Sequence, residues 1–203
     1  MSSKAPSIDQ IRRDAGKAMM SCLNTQKFNT INIDTIAAET GHSAAVIRRL
    51  FPDMAEMVGQ GLRDLDDEIL SEFADDLAED VEAGVRERIL EGLIVRYEAY
   101  QPYKECIKNL NAAAVTNPTL AAITISRLSA ASRTILELAG DNTTGMTGLL
   151  RVKGVAGVAL MAQRDWLKDD SADMSVTIRV LDQRLKQAEG IAEMINIIPR
   201  AQD

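Results

Sequence analysis

Histidine, cysteine and aromatic residues are all scarce in this chain. Of 203 residues, one is His, two are Cys and 3% are aromatic. A lone His42 leaves no Ser/His/Asp set to assemble, and no His/Cys group has metal-ligand spacing. No glycine-rich phosphate loop follows a strand-like run. The chain is therefore expected not to be an enzyme and to carry neither metal nor cofactor. Acidic residues are plentiful, but they occur in helix-surface runs such as Asp75-Asp76, which read as solvated faces. Cys22 and Cys106 fall on separate periodic segments and read as buried, reduced thiols of a cytoplasmic protein. Met1 to Ser7 is short and polar, unlike a signal peptide. No apolar run is expected to reach a membrane span. The few prolines, Pro102 and Pro118 among them, sit between periodic segments. What remains is rich in Ala, Leu, Ile and Met, a composition that favours helices over sheets.

The net charge is −7, which opposes binding to nucleic acid as a whole-body effect. Its distribution matters more. Residues 1–60 hold seven Lys/Arg and six Asp/Glu, a balance of +1, and the remainder carries −8. The densest acidic block, 61–91, has 12 acids against Arg63, Arg86 and Arg88. An acidic body behind a near-neutral head still orients that head toward a polyanion.

Ser7 with Gln10 three residues on predicts the cap of a first helix running to about Leu23. Its apolar face is Ile8, Ile11, Ala15, Ala18, Met19 and Cys22. A long helix is predicted from Met54 to Leu77 or beyond. Others follow over Val85–Gln101, Tyr103–Val115, Pro118–Ala139, Thr144–Lys168 and Ser171–Ile197. Asn117-Pro118 supplies a cap followed by proline in the first turn. With two short helices near residue 40, the expectation is about nine helices and no strand. The boundary is expected between a head, 1–60, and a body, 61–203.

The two short helices carry the sharpest signal. Asn32 caps the first, which turns Ile33, Ile36 and Ala37 to one side. Gly41 supplies the freedom of a tight turn. Ser43 caps a second helix, Ala44–Leu50, whose apolar side is read as Val46, Ile47 and Leu50. Pro52 stops it, and Asp53 with Glu56 opens the next. Helix, short turn, helix places a second helix into a DNA major groove. Ile36-Ala37-Ala38, Gly41, Ser43 and Phe51-Pro52 stand at the spacing of the TetR-family DNA-binding domain, which this stretch resembles. The resemblance implies an all-α TetR-like fold, a DNA-binding transcriptional regulator acting as a repressor, and a small apolar ligand as effector. It implies double-stranded DNA contacts at Asn32, His42, Ser43, Ala44, Arg48 and Arg49. Arg48 stands where the family has an aromatic, and Met54 where it has a phosphate-gripping lysine. Arg48 and Arg49 offer phosphate or guanine contacts in their place. TetR-like bodies enclose an apolar cavity among their middle helices, so Tyr97, Tyr100, Tyr103, Cys106 and Met146 become ligand-site candidates by position. Core packing is the rival use of each.

The last helix carries Met174, Ile178, Leu181, Leu185, Ala188, Ala192 and Ile195 at heptad spacing. The helix before it has a matching stripe at Leu149, Val152, Ala156, Ala159, Gln163 and Trp166. Periodicity alone fits either an intramolecular core or an interface between two chains. Because TetR-family proteins pair through their last two helices, the resemblance implies a homodimer joined through Trp166 and residues 174–192 of that stripe.

A second similarity covers the C-terminal part. It rests on Val85-Arg86-Glu87-Arg88-Ile89, Arg96, Gln101-Pro102, Gly140-Asp141, Trp166-Leu167-Lys168-Asp169-Asp170-Ser171, Thr177 and Leu181-Asp182-Gln183-Arg184-Leu185. This pattern is similar to the TetR-like lipid-binding accessory proteins of ubiquinone biosynthesis. It implies an alternative function: an isoprenoid-binding accessory protein of quinone biosynthesis that has lost DNA binding.

Overall fold

The computed structural model describes residues 6–77 and 83–194. Among them are nine α-helices and no strand: α1 (Ile8–Thr25), α2 (Ile33–Thr40), α3 (Ala44–Leu50), α4 (Met54–Leu77), α5 (Val85–Ala99), α6 (Lys104–Ala114), α7 (Pro118–Leu138), α8 (Gly145–Trp166) and α9 (Ser175–Met194). Short 3-10 turns at Phe28–Thr30 and Gln101–Tyr103 were not legible from periodicity, because three residues are too few to show one. Ile195 and the helix end expected at Ile197 lie outside the described residues.

The helix starts follow local chemistry. Ser7 Oγ accepts from the Gln10 amide at 3.1 Å, Asn32 Oδ1 from Thr35 at 2.9 Å, and Asn117 Oδ1 from Leu120 at 3.0 Å. Each satisfies an amide that the first helical turn leaves without a partner. The last helix departs from expectation. It opens at Ser175, not Ser171, and part of its cap comes from a distance. Asp169 Oδ2 accepts from the Thr177 amide at 2.8 Å and from its hydroxyl at 2.7 Å. A second carboxylate acts locally: Asp173 Oδ1 accepts from the Ser175 amide at 3.1 Å.

The chain packs as two units that interleave in sequence. The first is residues 1–67 with 100–127, the second 68–99 with 128–203. A single cut near residue 60 therefore does not describe the packing. The long helices α4 and α7 each give their first part to one unit and their second part to the other.

In the first unit, the buried face of α1 (Ile11, Ala15, Met19, Cys22, Leu23) packs with Cys106, Ile107 and Leu110 of α6. Ile8, expected on that face, is exposed. Asn24 ties the two helices with both ends of its amide. It donates to the Pro102 carbonyl at 3.1 Å and accepts from the Cys106 amide at 3.0 Å. Gly16 and Gly61 let α1 and α4 cross at backbone distance: a Cβ on Gly61 would lie 2.6 Å from the Gly16 carbonyl oxygen.

In the second unit, α8 and α9 form the principal helix pair. Much of the stripes expected to join two chains faces this unit's own interior, while Leu149 is exposed. Trp166, Met174, Leu181 and Leu185 are buried there, as are Val152, Ala156 and Ala159. Burial within one chain accounts for the spacing of these residues without a second chain. Ile178, Ala188 and Ala192 are half-buried.

The expectation about membrane spans also needs correction. By length and composition α8 is apolar enough to cross a membrane, with a mean hydropathy of 1.2 over its best window. Part of that apolarity is core, since 39% of the window is buried. The helix also carries Arg151, Lys153 and Arg164, which are costly in a bilayer.

Candidate nucleic-acid interface and apolar groove

Three elements of the first unit build the head's exposed face. Gly41 ends α2 at φ +70°, the left-handed conformation a helix C-terminus favours, and its amide returns to the Ala37 carbonyl at 2.9 Å. A Cβ there would meet open space, so the cost of any side chain is purely backbone. Gly41→Ala is expected to lower unfolding free energy by about 1 kcal/mol. Thermal melts checking this should show Gly41→Asn as the milder change, because asparagine tolerates that region better.

Helix α3 is anchored through Ile47, its one buried residue. Ala45, Val46, Arg48 and Arg49 are exposed, and Ala44 is half-buried. Val46, read from sequence as core, is 40% exposed. A seven-residue helix held at one point turns most of its circumference outward. This makes Ala45 and Val46 surface residues that sequence reasoning missed, and alternating exposure on so short a helix carries no readable period. Ser43 is exposed and makes no side-chain cap bond. Asn32 is exposed, but its oxygen is engaged by Thr35.

His42 has a different use. Its ring sits 2.8 Å from Asp14 on α1, with only 14% of its side chain exposed. This bond pins the turn to α1. The hydrogen bond from His42, outweighing partial burial, holds the Asp14 carboxyl below its ordinary range.

The residues proposed by position for a ligand site are divided between the two units. Tyr100, Tyr103 and Cys106 belong to the first unit, Tyr97 and Met146 to the second. Tyr100 donates to Asp66 at 3.0 Å inside the first unit's core. Burial pushes the Cys106 thiol up to about 12 and raises that of Cys22, so both are inert, free thiols. Tyr97 donates to the Ala159 carbonyl at 2.5 Å and packs against Trp166 with ring centroids 5.2 Å apart and planes tilted by 47°. Met146 is 73% exposed. Tyr97, Tyr100 and Cys106 are buried, Tyr103 is half-buried and Met146 is exposed, and none of the five lines the groove of the second unit.

The second unit instead has an open groove of about 520 Å³. Its floor includes Ile89 of α5, Leu136 of α7, Val155 and Val158 of α8, and Leu185 of α9. Charge is confined to its margin and internally matched. Arg86 donates to Asp182 at 2.8 Å and lies near Glu189, and Arg151 donates to Asp141 at 2.6 Å. The sequence pointed Leu185, Ala188 and Ala192 to another role, and they line this groove. Among the described residues, no group of three or more His, Cys, Asp or Glu is placed to hold a metal ion.

The architecture defines a class: an all-α protein whose head presents a short second helix after a glycine turn. No protein-family model matches the chain, and no curated protein matches it in sequence. Solved structures match it in fold. A TetR transcriptional regulator from Nitrosomonas europaea superposes with a TM-score of 0.66 at 16% identity, covering 89% of this chain and 98% of its own. A TetR-family regulator from Streptomyces coelicolor gives 0.62 at 15% identity, covering 94% and 85%. The fold of this chain is TetR-like.

Proposed function

We propose that this protein is a DNA-binding transcriptional regulator that works as a homodimeric repressor released by a small apolar ligand. The observation carrying this reading is the exposed face of α3, where Arg48 and Arg49 stand beside Ala45 and Val46 on a helix fixed by Ile47. Guanidinium groups suit phosphate oxygens and guanine edges, and a small apolar side chain suits a thymine methyl. Two such helices would enter successive major grooves about 34–36 Å apart. The protein would act in the cytoplasm, with the DNA.

Pairing is supported by exposed apolar surface. Leu150, Gly154, Gly157 and Met161 form one helical stripe on α8, none of it buried, and Val176, Ile191 and Met194 are exposed on α9. A second copy would cover them. The groove's rim, Leu150, Gly154 and Ile191, belongs to the same exposed set, so pairing and closure of the groove are coupled in this reading. Because both groove arginines already have carboxylate partners, a neutral apolar ligand fits better than an anion. Its binding would favour a head arrangement that no longer matches the operator. The accessory-protein alternative is not favoured, since the helix-turn-helix is intact and the similar solved structures are regulators.

The test is binding to DNA from the protein's own upstream region across a salt series, with unrelated DNA as competitor. Arg48→Ala is expected to weaken specific binding about tenfold, and the Arg48→Ala/Arg49→Ala pair about a hundredfold or more. Removing an arginine that grips a phosphate should also flatten the slope of log affinity against log salt by about 0.9. Unchanged affinity and slope in the double variant would sink the assignment of α3.

A further inference from the structure

The first unit contains a second concavity, of about 270 Å³, enclosed by α1, α4 and the start of α7. Arg12, Arg63 and Arg127 all line it, with Glu56 the one carboxylate among its walls. Gly59 and Ile123 meet at its base, where a Cβ on Gly59 would come within 2.9 Å of the Ile123 side chain. Phe51 forms another wall. The Arg12 guanidinium lies 5.3 Å from the Phe51 ring centroid, which fixes its plane by cation–π attraction. Gln60 and Ser126 add polar groups, and Gln60 is oriented by its bond to Asp64 at 2.7 Å. Among the described residues, no ion pair joins Arg12, Arg63 or Arg127 to a carboxylate.

We infer that this concavity is a site for a small dianion, a phosphate group or a compact dicarboxylate, held by Arg12, Arg63 and Arg127. Three arginines from three helices border one concavity, Arg12 and Arg127 half-buried and Arg63 exposed, and like charges around one space repel one another. Glu56 in the wall and Asp64, within electrostatic reach of Arg63, offset part of this charge, and a bound anion offsets the surplus. The planar fork of arginine matches carboxylate and phosphate oxygens two at a time. The volume lies below the roughly 300–1,000 Å³ of pockets for drug-sized ligands, which limits the occupant to a small molecule. The site does not depend on DNA binding, and it shares no residue with the apolar groove of the second unit.

The test is calorimetric titration of the full chain with inorganic phosphate and, separately, with succinate, at about 150 mM salt so that diffuse attraction is screened. Saturable binding of one anion per chain is expected for at least one probe, and the preferred probe separates a phosphate source from a dicarboxylate one. Arg127→Gln and Arg63→Gln should each weaken it about tenfold or more. Arg49→Gln, outside the site, should leave it unchanged. Arg63 is exposed, so its variant keeps the site testable if another fails to fold. No saturation by either probe up to about 20 mM, or equal affinity in both site variants and wild type, overturns the inference. Loss of DNA binding by Arg48→Ala with anion affinity intact would separate the two readings.

Discussion

Asp169→Ala is expected to lower the unfolding free energy by about 3 kcal/mol, a fall in melting temperature of roughly 6–12 °C for a chain of this size. The Asp169 carboxylate is 4% exposed and accepts from four donors: the amide and hydroxyl of Ser171 and the amide and hydroxyl of Thr177. Thr177 is fully buried. Removing the acceptor strands two of its donors with no water to replace it, at about 1–3 kcal/mol for each group left unsatisfied. The same bond begins α9, so the loss should appear in far-UV dichroism as fraying of that helix. Asp169→Asn is expected to cost less, about 2 kcal/mol, because one oxygen survives while the amide hydrogens face donors. Burial alone would raise the Asp169 carboxyl, but the Ser171 and Thr177 hydrogen bonds outweigh it and hold the group well below its ordinary 3.8. The folded form is thus the weaker base. The stabilisation is fully present above about pH 4 and disappears as pH falls below it toward the depressed value. Wild type should therefore lose stability through that acid window more steeply than Asp169→Asn. Parallel acid limbs, or a melting shift under about 2 °C in Asp169→Ala, would show that the latch contributes little.

Gly61→Ala is expected to destabilise by about 3 kcal/mol, at the upper end for an added methyl group. Its Cβ would sit 2.6 Å from the Gly16 carbonyl oxygen and 2.6 Å from the Met20 side chain. Met20 has rotamers with which to yield. The carbonyl belongs to the hydrogen-bonded ladder of α1 and does not. The glycine on the facing helix is equally constrained, since a Cβ on Gly16 would lie 2.8 Å from the Gly61 amide nitrogen. Relief therefore requires α1 and α4 to separate, which opens the apolar packing on either side of the crossing. Gly190→Ala supplies the contrast. It lies in α9 with nothing within 4 Å of a Cβ, so helix propensity alone should act, and stability is expected to rise by up to about 1 kcal/mol. Urea titration of the three proteins measures both effects. Equal midpoints for Gly61→Ala and wild type would mean that the crossing is looser than the distances indicate.

Periodicity and end signals located most helices well. The capped starts at Ser7, Asn32 and Asn117 stood where the sequence placed them, because a cap is chemistry between residues three apart. Helix α9 began four residues late, where Asp173 takes the Ser175 amide and Asp169, eight residues upstream, takes the Thr177 amide. No short-range rule reaches that far. Within the head, Arg48 and Arg49 were legible as exposed cations. The exposure of Val46 was not, since a valine on a short helix looks the same whether it faces a core or water.

The pattern of apolar residues by itself determined that the chain is helical and roughly where most helices lie, because backbone hydrogen bonding acts locally along a helix. Only the tertiary structure decided what each apolar side meets. The heptad stripe of α9 was equally suited to a second chain and to α8; its Met174, Leu181 and Leu185 pack within their own unit, and Leu150, Gly154 and Met161 of α8 are exposed. Tyr97 and Tyr100 went to core hydrogen bonds, while the groove formed from aliphatic residues of four helices with no motif between them. Hydrophobic attraction has no direction and no partner preference. A sequence therefore shows that a face must be covered, and three-dimensional packing selects what covers it.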